Sequence, residues 1–168
     1  MDLLAPLPDA VLVTDMQAAA AVLHSIKLVD PQGYVVSNPV GNNTQLTLVL
    51  DLEVREFDPE LMIGYALYVD DGETLWWSFH TDMARSDWPP LRQGRERITC
   101  TLPRRLLNEG RYRIEFQSCV YFKKWFHEPN ANGPSISFEI QGELSESPYW
   151  RIRREGTLAP IVGRHVDR

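Results

Sequence analysis

The sequence predicts an all-β chain, an immunoglobulin-like antiparallel β-sandwich of about eight strands. Two observations carry that prediction. Short apolar runs alternate at period two, with turn residues separating them, and only one segment carries a helical turn pattern. At 168 residues, 43% hydrophobic and 24% charged, the chain has the size of one domain that can build its core without metals or disulfides.

Residues 1–19, with their prolines and short alanine run, read as a linker or tether ahead of a sandwich over residues 20–142. Residues 21–29 alternate at period two, and Asp30-Pro31-Gln32-Gly33 turns the chain toward a short returning strand at Tyr34, Val35 and Val36. Beyond Asn42-Asn43, residues 44–54 set Leu46, Leu48, Leu50, Leu52 and Val54 on one face. Residues 61–69 and 74–81 form a hairpin around Asp70-Asp71-Gly72, because Asp-Gly supplies the positive φ that a tight turn needs. Residues 82–94 carry Trp88-Pro89-Pro90 and form a loop. Residues 97–102 alternate again, and 103–110 read as one helical turn closed by Gly110.

The longest strand runs over 111–123. Tyr112, Ile114, Phe116, Ser118, Val120 and Phe122 share one side, with Arg113, Glu115, Gln117, Cys119, Tyr121 and Lys123 on the other. Gly110-Arg111-Tyr112 has the form of a tyrosine corner. After a turn at 129–133, Ile136, Phe138 and Ile140 turn a last strand's apolar face inward, and residues 143–168 read as an irregular tail of the same domain.

Several function classes fall away on composition. No run approaches the ~20 apolar residues of a helical membrane span. The first 25 residues hold Asp2, Asp9 and Asp15 and no Lys or Arg, unlike a secretory signal, which makes the cytoplasm the expected compartment. Cys100 and Cys119 have no paired metal or redox spacing and are expected as free thiols. Seventeen basic against 23 acidic residues give a net charge of -6, which argues against nucleic acid as a partner. Acids nevertheless dominate 51–73, and Arg and Lys dominate 85–124. That polarity allows either a basic patch for an anionic ligand or strands that mix the two signs.

Catalytic and cofactor motifs are missing: no phosphate loop, no nucleophile elbow, no His-Glu-x-x-His and no dinucleotide fingerprint. His24, His80, His127 and His165 show no ligand spacing, so no metal and no cofactor is expected. The aromatic residues say more. If Leu75, Trp77 and Phe79 face the core, Trp76 and His80 lie outside beside Tyr68, with Gln117 and Tyr121 on the neighbouring strand. Flat aromatic faces flanked by amides and carboxylates suit a sugar ring, and equally suit another protein surface.

Several stretches together carry a resemblance. They are Asp71-Gly72-Glu73-Thr74-Leu75-Trp76-Trp77-Ser78-Phe79-His80-Thr81-Asp82, then Leu102-Pro103-Arg104-Arg105-Leu106-Leu107-Asn108-Glu109-Gly110-Arg111-Tyr112, and Ser147-Pro148-Tyr149-Trp150 with Arg154-Glu155-Gly156-Thr157-Leu158-Ala159-Pro160. The chain resembles the carbohydrate-binding C-terminal domain of polysaccharide-export ABC transporter ATP-binding subunits, of the Wzt type, over most of residues 20–162. The resemblance implies a non-catalytic domain that recognises the non-reducing terminus of a lipid-linked O-antigen polysaccharide for export. It works in the cytoplasm, at the inner face of the inner membrane, beside the transporter's nucleotide-binding and membrane subunits.

The resemblance also implies a homodimer that exchanges a terminal strand, for which the tail around Tyr149 and Trp150 is the candidate. It implies a glycan on the outer face of one sheet, here Tyr68, Trp76, His80, Gln117 and Tyr121. The family's nucleotide-binding domain has no counterpart in this sequence. A protein-interaction domain, or an ancillary module of a glycan-modifying enzyme, are the alternatives.

Overall fold

The computed structural model describes residues 11–12, 20–37 and 39–166. Among the described residues, nine strands form two antiparallel sheets: β1 (Val11–Leu12), β2 (Ala21–Val29), β3 (Thr47–Val54), β4 (Leu61–Val69), β5 (Thr74–Phe79), β6 (Gly94–Thr101), β7 (Gly110–Val120), β8 (Lys124–His127) and β9 (Ser135–Ile140). One sheet has the order β1-β2-β3-β6. The other runs β5-β4-β7, and the far edge of the long β7 is shared, β9 pairing with its first half and β8 with its end. The tether expected over 1–19 lies outside the described residues, apart from Val11–Leu12, which pair with β2.

The core lies between the sheets. Leu48, Leu50, Leu52 and Val54 of β3 face Leu61, Ile63 and Leu67 of β4 and Tyr112, Ile114 and Phe116 of β7, all buried. Phe138 and Ile140 point inward from β9, as their alternation predicts. On β2, His24 is a bulged residue between Leu23 and Ser25, so the inward set is Leu23 and then Ile26 and Leu28. One extra residue shifts the alternation and keeps both halves of the strand apolar on the core side.

The tyrosine corner is present. The Tyr112 hydroxyl donates to Asn108 O at 2.8 Å, and burial pushes that phenol up. The Asp70-Asp71-Gly72 turn also forms, with Gly72 at φ 94° and Gly72 N donating to Val69 O.

Three expectations need correction. Residues 103–110 contain no helix: the chain turns at 104–105, with Arg105 at φ 52°, and Leu107 then bridges to Leu158 of the tail. No α-helix occurs among the described residues, only the 3-10 turn Arg85–Asp87, and no helix is long and apolar enough to cross a membrane. Tyr34, Val35 and Val36 form no strand, only a bridge from Val35 to Val29.

The third correction concerns the long strand, which ends at Val120, not Lys123. Residues 121–123 make a tight turn, Lys123 N donates to Val120 O, and β8 pairs back onto β7. Phe122, expected on the same side as Tyr112, Ile114 and Phe116, sits at φ 54° and is 93% exposed. No Gly, Asn, Asp or Pro marks this turn, which is why period-two alternation ran straight through it.

Residues 143–160 are not loose. The buried Asn108 donates from Nδ2 to Arg154 O and Gly156 O at 2.6 Å each, and its backbone N donates to Thr157 O at 2.8 Å. Ala159 N then donates to Leu106 O, and Leu144 and Ala159 are buried.

Candidate functional site

The outer face of the β5-β4-β7 sheet follows from strand register. Across it run two rows, Phe79–Gly64–Gln117 and Trp77–Ala66–Glu115. The floor of this face, on β4, is therefore small, between aromatic rings on β5 and polar groups on β7. Gly64 has a steric reason: a methyl group there would run into the carbonyl oxygen of Ser78 and the Cα of Phe79. β5 lies that close to β4 because Gly64 has no side chain.

Trp77 and Phe79 were expected inside and Trp76 outside; the structure reverses this. Pairing between β4 and β5 skips Leu75, with Leu67 opposite Trp76 and Tyr68 opposite Thr74. This bulge puts Leu75 and Trp76 both against the core, and the indole N–H of Trp76 donates to the Tyr65 hydroxyl at 3.3 Å. Every residue after the bulge changes face. Trp77 is consequently half exposed and meets Trp125 of β8 edge to face at 6.2 Å, while Phe79 lies 6.4 Å from the same indole.

These rings form one wall of a cleft of about 530 Å³, completed by Met62, Cys119, Tyr121, Phe122, Lys123 and Lys124. A second cleft of about 390 Å³ adjoins it through Met62 and Tyr121 and is lined by Glu60, Arg85 and Trp88. Phe122 is notable here. A large aromatic residue in the left-handed region costs ~1–2 kcal/mol, and an exposed ring gains no burial to offset it. Such strain concentrates at binding sites. The turn is anchored by Tyr121 N to Glu60 O at 3.0 Å and by Lys123 to Glu60 at 2.8 Å and Asp58 at 3.7 Å, contacts that raise the lysine pKa.

Of the five site residues expected from sequence, only Tyr121 lines the clefts. Trp76 is part of the inner packing. His80 is largely buried, its Nδ1 3.1 Å from Ile63 N, and burial pulls its pKa down. Tyr68 and Gln117 do project to the outer face, yet both are wholly buried, together with Glu115.

The segment between β8 and β9 lies against Tyr68 and Glu115. Asn130 N donates to the Tyr68 hydroxyl at 3.0 Å and to Glu115 Oε1 at 2.8 Å, and Arg113 pairs with Glu115 Oε2 at 2.6 Å while stacking over the Tyr68 ring. Burial pushes the Tyr68 phenol up. Gln117 Oε1 has no donor among the described residues. An unsatisfied buried acceptor of this kind costs ~1–3 kcal/mol.

Sequence reasoning missed Trp77, Phe79, Phe122 and Trp125 as candidates. The available signal was Phe122-Lys123-Lys124-Trp125-Phe126, too aromatic and too charged for a strand end buried on both sides.

The charge polarity resolves into mixing. Asp51 on β3 sits opposite Arg97 on β6 and pairs with it at 2.6 Å, Lys123 takes Asp58 and Glu60, and Arg111 lies 4.0 Å from Asp70. The acid-rich and base-rich stretches are adjacent strands and turns, so much of their charge cancels locally. Cys100 and Cys119 are free thiols on different sheets, both pushed up by burial. No group of three or more metal-ligating side chains occurs among the described residues.

No family model and no curated protein matches the sequence. Among solved structures, the chain is similar to one described as the C-terminal domain of wzt, with a TM-score of 0.62 and 14% identity over 96% of this chain and 91% of that one. At that identity the likeness is one of fold.

Proposed function

We propose that this domain is a non-catalytic carbohydrate-binding module that recognises the non-reducing terminus of a lipid-linked O-antigen polysaccharide for ABC-transporter export. The observation that carries the reading is the cleft of Trp77, Phe79, Trp125, Tyr121 and Phe122 on the outer face of one sheet, in a fold shared with the C-terminal domain of wzt. A pyranose offers an apolar C–H face to such rings and a belt of hydroxyls to the groups around them. Lys124 and Lys123, the latter ion-paired with Glu60 and Asp58, line the cleft as hydrogen-bonding groups. In this reading Trp76 and His80 support the cleft from within, and Tyr121 contacts sugar.

The same reading places the domain in the cytoplasm at the inner face of the inner membrane, beside the transporter's nucleotide-binding and membrane subunits. It also makes the domain a homodimer through the C-terminal segment. Exposed apolar side chains there, Tyr149 at 91% and Ile152 at 80%, favour a second copy as cover.

Isothermal titration with oligosaccharides ending in a free or a capped non-reducing unit tests the reading. Trp77→Ala is expected to remove binding with little change in melting temperature, and Trp76→Ala to destabilise the fold. Equal binding of capped and uncapped ends would refute terminus recognition. Retained binding in Trp77→Ala would refute the cleft.

A further inference from the structure

On the outer face of the β5-β4-β7 sheet, Ala66, Tyr68, Glu115 and Gln117 have no exposed surface, although the opposite sheet lies on the other side. Besides Arg113, which stacks over the Tyr68 ring, a stretch of chain from β8 to β9 contributes to their cover. β8 brings Trp125 over to Trp77 and Phe79, and residues 128–134 then lie across Tyr68 and Glu115. A methyl group on Gly133 would stand 3.4 Å from Glu115 Cγ, which shows how closely the stretch is laid down.

The hold on the tip of this stretch is slight. Asn130 N, shared between Tyr68 and Glu115, is its short contact, and Asn130 Oδ1 adds a 3.4 Å contact to Arg113. The firm attachments are at the two ends, where Ser118 Oγ meets His127 Nδ1 at 2.9 Å and Phe116 N donates to Pro134 O at 2.8 Å. Asn130 and Asn132 both adopt positive φ, 60° and 55°, so the chain between those ends is a bent loop held by its bases. Beneath it, Gln117 Oε1 is a buried acceptor without a donor among the described residues.

We propose that residues 128–134 are a flap over a polar sugar subsite formed by Tyr68, Arg113, Glu115 and Gln117, which opens when a polysaccharide extends along the sheet from the aromatic cleft. This rests on the carbohydrate reading of that cleft. The rows of the sheet give the continuity: Phe79 and Gln117 face each other across Gly64, and Trp77 and Glu115 across Ala66. A sugar hydroxyl is donor and acceptor at once. One hydroxyl replaces Asn130 N–H as donor to Glu115, and a neighbouring one donates to Gln117 Oε1. The unit bound is a neutral sugar, because the Arg113 charge is already matched by Glu115 at 2.6 Å.

Hydrogen exchange and titration on the full chain test this together, with gluco-, galacto- and manno-oligosaccharides of two to six units as probes. In the free protein the Asn130 amide is expected to exchange through local opening, at least 100-fold faster than the amides of β7. Exchange of Asn130 only with global unfolding overturns the flap, whatever the sugars do. With a saturating tetrasaccharide or longer, exchange over 128–134 is expected to rise; an unchanged or slower rate overturns the proposal.

Gln117→Met keeps the side-chain length and removes the acceptor. It is expected to weaken tetrasaccharide binding at least fivefold and to leave disaccharide binding within twofold, at an equal or higher melting temperature, since the donorless buried acceptor is gone. Equal effects on both lengths, or none, overturn the subsite while the cleft stands if Trp77→Ala still abolishes binding. Failure of the wild-type chain to bind any of the probes would overturn the carbohydrate reading and the subsite with it.

Discussion

Asn108 ties the C-terminal segment to the sandwich, and Asn108→Ala measures how strongly. The side chain is wholly buried and makes three hydrogen bonds, from Nδ2 to Arg154 O and Gly156 O and from Glu109 N to Oδ1. At a net ~0.5–1.5 kcal/mol each, their loss amounts to roughly 1.5–4.5 kcal/mol. Arg154 and Gly156 are exposed, so water takes over at their carbonyls, and the lower half of that range, ~2–3 kcal/mol, is expected. For a chain of this length that is a fall in melting temperature of roughly 4–12 °C.

The backbone bonds from Asn108 N to Thr157 O and from Ala159 N to Leu106 O survive the substitution. The tail therefore opens more often without leaving altogether. Cleavage within 150–158 by a dilute protease should rise about 30- to 150-fold, the same free energy expressed as a population. A melting shift below ~1 °C with unchanged cleavage would refute the assignment of Asn108 as the anchor. A tail exchanged between two copies would make these bonds to the partner, and the wild-type melting temperature would then rise with protein concentration.

The remaining predictions concern the site and its support. Gly64→Ala drives a methyl group into the Ser78 carbonyl and should cost ~1–3 kcal/mol, read as a lower urea midpoint and loss of the Trp77–Trp125 contact in near-ultraviolet dichroism. Phe122→Gly relieves a positive φ of 54° and should leave stability equal or up to ~1 kcal/mol higher while weakening oligosaccharide binding; a large destabilisation would show that the ring is structural.

Acid should act in two windows. Burial lowers the His127 and His80 pKa values, so the unfolded chain takes up their protons first, and stability falls as pH drops below ~6.5 toward the lowered folded values. The hydrogen bond from Arg97 lowers the Asp51 pKa, so its contribution is complete above ~3.9 and is lost as pH falls through the folded value. Urea midpoints flat from pH 7 to 5 would contradict the first window, and an Arg97→Met chain with an unchanged acid limb the second.

Most of the sandwich was legible because its signals are local and periodic. Leu46 to Val54 alternate without interruption, Asp71-Gly72 fixes a turn by its own φ requirements, and Tyr112 follows Gly110 where a strand starts across a corner. Elements set by partners distant in sequence were not legible. The segment 103–110 looks helical by composition, but its backbone groups are taken by residues 157–159, some fifty positions later, and a strand-like bridge replaces the helix. No local preference of the weakly helical Pro103-Arg104-Arg105-Leu106 run outweighs those bonds.

The site failed for a narrower reason, and the reason bears on how such faces are read. Assigning Trp77 inward and Trp76 outward assumed that β5 kept one phase from end to end. A one-residue bulge at Leu75 is enough to invert every later position, and nothing in Thr74-Leu75-Trp76-Trp77 distinguishes a bulged from a regular strand, since both phases offer an indole to the core. The register against β4 decides, through Gly64: its missing side chain admits β5 backbone close enough for Phe79 to lie opposite it, which fixes Trp77 opposite Ala66 on the outer face. A glycine in the middle of an otherwise apolar strand marks where a neighbouring backbone comes close, and here the phase of β5 is set at that point.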